Sequence, residues 1–415
     1  MPEVLSNPGT QYRVRIGFDQ TWEELHLDVV GLAELDTAVL GPSPATYTYA
    51  DVSDDVISVE ISRGRSRTTD PTRAGSCALR LLDMSRAYDP ENTIGPYYGD
   101  IVKGRPVIVD FRKTHNHWHE LFSGYIEQIA YRMEHGGYQV AEFVATDALA
   151  SLARQALQAD TTYTAEVTGA RIEAILTSAT LQGGTNIDTG TVNVVARTEP
   201  EGATILDLLN NVAAAEGGEL YVAADGTLTF RQRYSNANPV STFELTPDLG
   251  SVRYSALDLE TGAEVYPQVN VTDSTGALQA ARNDTTYLDY TGVLTIDAGE
   301  LLSAEDALAL AQYELAIYGS PQTNVRTVEI PVIQEISAHV HDLLSTDLGD
   351  AVQVERQFTV GSPLSLTEWY GVEGIEHRID RGRHNLTFTL GAKQSSGWMQ
   401  LNSTVFGTLD QNKLA

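Results

Sequence analysis

The sequence is nearly free of cysteine: Cys77 is the only one among its 415 residues. A single thiol forms no disulfide within the chain, and it does not supply the cysteine cluster of a zinc site. We therefore expect a protein that is made in a reducing cytosol and is stable without covalent cross-links. At roughly 100–200 residues per domain the chain predicts several domains, and a 42% hydrophobic content is enough to give each one a core.

Long apolar runs are also missing. No stretch of about 18 apolar residues occurs, so the sequence predicts no segment that crosses or inserts into a membrane. The first residues, MPEVLSNPGTQYRVRIGF, lack the basic head and apolar run of a secretory signal peptide. We therefore expect that the protein does not leave a cell by ordinary secretion.

Positive charge is scarce. The chain has 27 Lys and Arg residues against 56 Asp and Glu residues, a formal net charge of −29. A surface this acidic repels phosphate groups, which argues against nucleic acid and anionic membranes as partners. We expect no direct, sequence-specific contact with nucleic acid.

Motifs for catalysis are absent as well. The sequence has no G-x-S-x-G elbow, no glycine-rich phosphate loop, no dinucleotide fingerprint and no H-E-x-x-H helix, and Cys77 lies within a predicted strand. Acids such as Asp54, Asp55, Asp89 and Asp225 fall in predicted turns, where Asp has a conformational reason to occur. We therefore predict no enzyme, no catalytic residue and no cofactor, although a pair of catalytic carboxylates is not ruled out by counting.

Histidines form the most suggestive cluster. In FRKTHNHWHELFSG (111–124), His115, His117 and His119 alternate with other residues, so in an extended strand they would share a face that suits a transition metal. A second H-x-H pair, His339 and His341, is expected at a junction between a strand and a loop. The alternative is the polar tip of a hairpin, with Trp118 covering one edge. No third defining ligand or supporting carboxylate is evident, so we favour the hairpin and predict no metal site.

Most of the chain reads as short alternating strands. Strands are predicted at 12–18, 56–64, 77–83, 105–111, 121–134 and 138–147, with Gly, Pro and Asp between them. This spacing is typical of a barrel or a sandwich. We place an N-terminal strand or arm at 1–49 and a first β domain at 50–147.

A small α+β domain is predicted at 148–235. Helices are expected in TDALASLARQAL, in TGARIEAILTSATL and in TILDLLNNVAAAEGG. The last has Thr204 as its N-cap, an apolar stripe that begins at Ile205, and Gly217 at its end. Asp225-Gly226 then predicts a two-residue hairpin.

Strands resume in a second β domain at 236–398, followed by a C-terminal tail at 399–415. Its strands include SVRYSALDLE (251–260), DAVQVERQ (350–357) and HNLTFTLGA (384–392). One helix interrupts them, with Ser303 as its N-cap and Leu308, Ala311, Leu315 and Tyr318 on one face. The order β domain, insert, β domain suggests two related modules, but the sequences are too diverged to prove a duplication.

Two groups of side chains are candidates for contacts between molecules. The aromatic residues are Tyr97, Tyr98, Trp118, Trp369, Tyr370 and Trp398. They favour packing at subunit contacts over stacking on sugars. The arginines are Arg63, Arg65, Arg67, Arg73 and Arg86, a basic stretch in an acidic chain. It either meets an acidic face of a neighbouring subunit or is a solvated strand edge that charge keeps from aggregating.

Several stretches, in order along the chain, resemble a known family. They are ISRGRSRTTDPTRAGSCALRLLDMSRAYDPENTIGPYYGDIVKGRPVIV (61–109), LFSGYIEQI (121–129), TILDLLNNVAAAEGGELYVAADGTLTFRQR (204–233), DLGDAVQVE (347–355) and YGVEGIEHRIDRGRHNLTFTLG (370–391). They are similar to minor tail proteins of long-tailed, non-contractile bacteriophages, of the tail-tip baseplate-hub or tail-associated type. No single motif carries the likeness; the ordered set does.

The resemblance implies a mainly β fold with an α+β insert: two β-barrel domains separated by a small helix-hairpin domain. It also implies a homotrimeric ring at the distal end of the virion tail, assembled in the host cytoplasm, that joins a sixfold tube to threefold parts. The expected partners are copies of the chain, the distal tail protein, the tail tube, the tape measure and fibre or receptor-binding proteins. The proposed subunit contacts are Arg63, Arg65, Tyr97, Tyr98, Trp118 and Trp369.

Two other functions remain open from the sequence. The first is a distal tail or receptor-binding protein whose aromatic residues contact host-surface glycan. The second, less favoured, is a cell-wall hydrolase with acidic catalytic residues.

Overall fold

The computed structural model describes residues 10–21, 46–67, 70–113, 117–133, 139–235, 243–248, 251–261, 264–335 and 337–392. The chain divides into two compact units. Unit 1 comprises Met1–Ile61, Ser76–Asp147 and Arg378–Gly382, and unit 2 comprises Ser62–Gly75, Ala148–His377 and Arg383–Ala415. No helix in the described part of the chain is long and apolar enough to span a membrane.

Seven strands form the sheet of unit 1. They are β1 (Thr10–Thr21), β2 (Thr46–Asp51), β3 (Val56–Gly64), β4 (Arg73–Asp83), β5 (Pro106–Lys113), β6 (His119–Met133) and β7 (Gln139–Thr146). Their spatial order is β3-β4-β7-β6-β5-β1-β2, and a 3-10 turn, Ser53–Asp55, separates β2 from β3.

Alternating hydrophobic residues place six of these strands where the sequence predicts them, whereas β2 was not predicted. In the antiparallel pair of β4 and β7, Leu79 lies opposite Phe143 and Leu81 opposite Ala141. All four side chains are buried. In this pair, side chains at alternate positions enter the core and those between them are more accessible, as the alternation of side chains between two faces requires.

Unit 2 contains the other strands and all six helices of the described residues. The strands are β8 (Thr161–Tyr163), β9 (Glu166–Val167), β10 (Thr185–Ile187), β11 (Asn193–Val194), β12 (Arg197–Glu199), β13 (Glu219–Val222), β14 (Leu228–Arg231), β15 (Glu244–Thr246), β16 (Val252–Arg253), β17 (Ala256–Thr261), β18 (Gln268–Thr272), β19 (Leu278–Arg282), β20 (Val293–Asp297), β21 (Thr323–Pro331), β22 (Ala351–Gln357), β23 (Ser365–Asp380) and β24 (Arg383–Ala392). The helices are α1 (Ala148–Leu152), α2 (Thr168–Leu176), α3 (Ile205–Glu216), α4 (Asp284–Tyr287), α5 (Ala304–Tyr318) and α6 (Ser337–Leu344), and a 3-10 turn covers Val332–Gln334.

The main sheet of unit 2 repeats the strand order of unit 1. Its order is β17-β21-β24-β23-β22-β15-β16. The strands of the two units correspond one to one when each set is numbered along the chain. The positions of β1 to β7 in unit 1 are taken in unit 2 by β15, β16, β17, β21, β22, β23 and β24, in that order. One difference is strand direction, because β15 is parallel to both of its neighbours whereas β1 is antiparallel to both of its own.

Neither sheet closes into a barrel. The two ends of each order are consecutive strands, β2 and β3 in unit 1 and β16 and β17 in unit 2. The short links between them, residues 52–55 and 254–255, reach only a few residue lengths, so each sheet curls until its ends lie near each other. Among the described residues no strand ladder joins those ends. The predicted mainly β fold is confirmed, but closed barrels are not what the described strands form.

The insert in unit 2 largely follows its sequence pattern. Helix α3 begins after Thr204 and ends at Gly217, which has a left-handed φ of 65°, as predicted. Its apolar stripe packs on α2 and on the sheet β10-β14-β13. A hairpin joins β13 to β14 at Asp225-Gly226 as predicted, but its loop has three residues, 224–226, and not two. The Ala223 N–H donates to the Thr227 carbonyl and the Gly226 N–H to the Ala223 carbonyl, and Gly226 supplies a positive φ of 86° at the end of the loop.

Helix α1 is much shorter than TDALASLARQAL predicts, because it ends at Leu152. The following residues pair with another segment instead. The Leu157 N–H donates to the Ala203 carbonyl and the Ile205 N–H to the Gln155 carbonyl. These backbone groups form hydrogen bonds with residues that are distant in sequence, so this segment pairs with the segment around residue 204 and does not continue the helix.

Helix α5 is confirmed, and Ser303 caps it as expected. Of its predicted buried face, Ala311 and Tyr318 are buried and Leu315 packs against the core. Leu308 was predicted wrongly, because it is exposed and the core takes Ala307 and Leu310 instead.

Two further predictions were wrong. SAHVHDLL forms helix α6, not a junction between strand and loop. SVRYSALDLE forms two strands, β16 and β17, which lie at opposite ends of the same sheet order. The small sheet β19-β18-β20, in which β20 is parallel to β18, was not predicted.

The two helix N-termini allow a matched test of capping. The Ser303 hydroxyl accepts a hydrogen bond from the Asp306 N–H at 3.1 Å, whereas Thr204 makes no such bond with its side chain. We expect Ser303→Ala to lower the free energy of unfolding by about 1 kcal/mol. Thr204→Ala is the control and should cost clearly less. Urea unfolding of both variants measures the difference, and equal losses would contradict this account of capping.

Candidate functional site

A long loop between β4 and β5, residues 84–105, carries several of the exposed apolar side chains in the described part of unit 1. Its base is firmly held. The buried carboxylate of Asp83 accepts hydrogen bonds from the N–H groups of Ala87 and Tyr88 at 2.7 and 3.2 Å, and the Tyr88 hydroxyl donates to Asp55 at 2.6 Å. Burial raises the pKa of Tyr88, so its hydroxyl stays protonated and keeps donating.

The same loop turns one tyrosine inward and the next outward. Tyr97 stacks on Phe18 with ring centroids 4.2 Å apart. Tyr98 is 53% exposed, and Ile94 is 93% exposed. A loop that is anchored by buried rings yet displays large apolar side chains has the composition of a contact surface. Among the predicted contact residues, the structure therefore leaves Tyr98 the most accessible.

The histidine-rich hairpin lies at the start of β6. His115 lies outside the described residues; the rings of His117 and His119 are 5.3 Å apart. Trp118 lies between two guanidinium groups, with Arg13 and Arg112 at 4.4 and 4.5 Å from its ring centroid. These cation–π contacts give Trp118 a role within the chain.

The second histidine pair lies in unit 2, on helix α6. His339 Nδ1 is 3.7 Å from a carboxylate oxygen of the buried Glu335, and His341 is exposed. The described residues contain no group of three or more His, Cys, Asp or Glu side chains that could hold a metal ion.

A partly buried cluster of arginines and acids, which we call the arginine cluster, connects four segments of unit 2. Arg63 is 6% exposed, and its Nη1 lies 2.7 Å from Asp347 Oδ1. Arg65 pairs with Glu373 and, at 3.1 Å, with Glu219. Further members are Arg231 and Asp350, which are 2.8 Å apart.

Burial alone would lower the pKa of Arg65, but Glu373 and Glu219 outweigh it and hold that pKa above its ordinary value. Arg65 is therefore charged, and both arginines are paired with acids of the same chain. This placement does not suit the predicted meeting of these two arginines with an acidic face of another subunit. Arg67, Arg73 and Arg86 are exposed, and Arg86 pairs locally with Asp89 at 2.7 Å.

The remaining aromatic candidates differ in exposure. Trp369 is half-buried on β23, opposite Gln353 of β22. Tyr370 is buried and donates its hydroxyl to Glu368 at 2.8 Å. Trp398 lies outside the described residues. As subunit contacts, Trp118 and Trp369 stay predictions.

A buried histidine pair near the arginine cluster was not predicted. His377 Nδ1 lies 2.9 Å from His384 Nε2, and both side chains are buried. Burial lowers the pKa of His384 to about 3. The pKa of His377 is also lowered, by burial, by His384 and by Arg63. The only sequence signal is that both residues occupy inward positions of alternating strands, which shows burial but not pairing.

The comparisons with known proteins concern the fold. The sequence matches no protein-family model, and no curated protein matches it. The 43 kDa tail protein of prophage MuSo2 from Shewanella oneidensis has a similar structure, with a TM-score of 0.57 and 14% identity over 83% of this chain and 96% of that one. A tail protein from Neisseria meningitidis MC58 has a TM-score of 0.58 and 11% identity over 93% and 97% of the two chains.

These two likenesses extend over nearly the whole of both known chains. The protein therefore has the fold of phage tail proteins, and the resemblance seen in the sequence is confirmed at the level of the fold. At this level of identity the likeness carries the architecture alone and assigns no residue a role.

Removing the central arginine tests the arginine cluster. Arg65→Met takes away both ion pairs and leaves Glu219 and Glu373 without this cation. We expect a loss of about 3 kcal/mol in the free energy of unfolding, since breaking a buried pair costs far more than breaking an exposed one. The control is Arg282→Met, whose pair with Asp284 is exposed and should cost under about 1 kcal/mol. Similar losses in the two variants would show that the cluster does not hold unit 2 together.

The buried histidines predict how stability depends on pH. Their pKa values are lower in the folded chain than the ordinary 6.5. Just below pH 6.5 these histidines therefore bind protons in the unfolded chain but stay neutral in the folded chain. The contribution of these two histidines to stability is therefore fully present above pH 6.5 and falls as pH drops below it. We expect His384→Gln to reduce that slope by about 1.4 kcal/mol per pH unit between pH 6 and 5. Unfolding measured across this range checks it; an unchanged slope would contradict the assignment.

Proposed function

We propose that the protein is a structural component of a phage tail, the ring-shaped hub at the tail tip. Its fold, which is that of phage tail proteins, supports a place in the tail. The distal position, the assembly in the host cytoplasm and the division into domains at 50–147, 148–235 and 236–398 belong to this proposal. So does the absence of catalytic activity, which agrees with the lack of any catalytic motif in the sequence.

The observation that carries the proposal is the repeated strand order of the two main sheets. One chain supplies two sets of seven strands with the same order. Three chains around an axis therefore present six such sets, which is the number needed to meet a sixfold tube. A homotrimer would thus join threefold parts to a sixfold tube without a second kind of subunit.

The charge of the chain suits a channel for DNA. With a net charge of −29, a ring of these chains presents mainly acidic surface, and like charge keeps a passing genome from adhering. The partners in this proposal are the tail tube, the distal tail protein, the tape measure, and fibre or receptor-binding proteins.

Contacts between copies are proposed at the loop of residues 84–105 in unit 1. Ile94 and Tyr98 are large, apolar and exposed, while Tyr97 and Tyr88 fix the loop from beneath. An anchored loop loses little conformational freedom on binding, which favours a stable contact.

The mass of the purified assembly tests the hub directly. We expect three copies in native mass spectrometry and threefold symmetry in particle images. Ile94→Asp combined with Tyr98→Asp should shift the assembly towards monomer, because two charges would be buried in the contact. Leu288→Asp is the matched control, as Leu288 is 84% exposed in unit 2 and outside the loop. A chain that stays monomeric and never enters virions would overturn the proposal.

A further inference from the structure

A cavity of about 460 Å³ lies within unit 2. Its walls are α3, α5 and β20, and one side is formed by Arg65, Glu219 and Glu373 of the arginine cluster. The volume falls within the range of about 300–1,000 Å³ that is usual for ligand sites. Neither the fold likeness nor the proposed hub assigns this space a role.

The cavity runs along the edge of a strand. Four consecutive residues of β20, Leu294 to Asp297, line it. Successive side chains of a strand point to opposite faces, so a space that touches all four lies beside the strand and not over one face. In the sheet β19-β18-β20, β20 is terminal, and within the described ranges no strand pairs with its outer side. Such an edge is a template for a further strand.

A buried guanidinium that has donors without acceptors lies in the wall of this space. The side chain of Arg233 is 2% exposed and lines the cavity. Its Nε and Nη1 make no hydrogen bond within the described part of the chain. The carboxylate of Glu216 lies 4.0 Å from Nε, but it already accepts hydrogen bonds from Thr168, Thr191 and Val192. A buried donor without an acceptor is costly, so an incoming carbonyl or carboxylate oxygen would be stabilised here.

The charge of the lining favours a cation beside that acceptor. Arg65 is neutralised by Glu219 and Glu373. The other charged residues of the lining are Asp70, Asp297 and Glu314 against Arg233, an acidic excess. Glu314 is half-buried, and burial raises its pKa to about 7 although Arg65 and Arg233 oppose the shift. A cation close to this carboxylate would favour its ionised form.

We propose that the cavity binds an extended, basic peptide segment of another protein, which adds to β20 as a strand. A backbone carbonyl of the segment accepts from Arg233, and a Lys or Arg side chain contacts Glu314 and Asp297. This is the geometry in which main-chain bonds supply affinity and side-chain pockets supply specificity. The inference does not rest on the proposed hub, because the cavity belongs to a single chain.

The test uses the full chain and a defined probe. Fluorescein-labelled Thr-Val-Lys-Val-Thr-amide is titrated with the protein at pH 8 and followed by fluorescence anisotropy. We expect binding at least tenfold tighter than that of the same peptide with Glu in place of Lys. Peptides with N-methylated backbone amides should bind at least fivefold more weakly, because they cannot pair fully with a strand edge.

Variants locate the site. Glu314→Gln, Asp297→Asn and Arg233→Met should each weaken binding of the lysine peptide at least fivefold. Asp297 is exposed, so this variant keeps the test valid if the two more buried changes disturb folding. The control is Asp284→Asn, which alters an exposed acid outside the cavity and should leave affinity unchanged.

Three results would overturn the proposal. They are no binding of the lysine peptide at millimolar protein, equal affinity for the lysine and glutamate peptides, and binding that Asp297→Asn leaves unchanged. If free lysine amide competes as well as the peptide, the site binds small cations, and the proposal that a peptide adds to β20 as a strand is wrong.

Discussion

Unit 2 depends on charge that is buried and paired. The short segment Ser62–Gly75 carries Arg63 and Arg65 into contact with Asp347, Glu219 and Glu373. A guanidinium removed from water is tolerated only where carboxylates meet it in good geometry. The two arginines therefore fix where the β13–β14 hairpin, the turn at residues 347–350 and strand β23 lie relative to one another. Hydrophobic burial alone, which has no direction, would not select that arrangement.

The repeated strand order explains how one chain holds two similar sheets. In each unit the first strand along the chain lies next to one end of the strand order, and the following two strands occupy the two ends. Two groups of additional strands are inserted at connections in the chain. Strands β8 to β14 lie in sequence between β7 and β15, and β18 to β20 lie between β17 and β21. Insertions at such connections leave the pairing of the main sheet unchanged, because loops carry few of its contacts. The reversed direction of β15 shows that the two sheets share an order and not every detail.

The exposed surface and the buried site have different physical origins. At the loop of residues 84–105, inward-facing tyrosines and the Asp83 carboxylate hold the backbone in place. Ile94 and Tyr98 are therefore exposed on a loop whose backbone is anchored. In the cavity of unit 2, two helices and a strand edge leave space beside a buried guanidinium. The first arrangement suits large, flat contacts between copies, and the second suits one narrow segment.

The sequence by itself determined the mainly β character, the helices α3 and α5, and the Asp225-Gly226 hairpin. These follow from alternation, capping residues and turn chemistry, all of which act between residues close in the chain. Only the tertiary structure decided the rest. It ended α1 early through the pairing of Leu157 with Ala203, it turned Leu308 outward, and it paired His377 with His384. It also placed Arg63 and Arg65, which resemble a solvated basic stretch in the sequence, inside a cluster whose acids are more than 150 positions away. Ion pairs and strand orders of this kind join residues distant in sequence, so a local pattern carries no record of them.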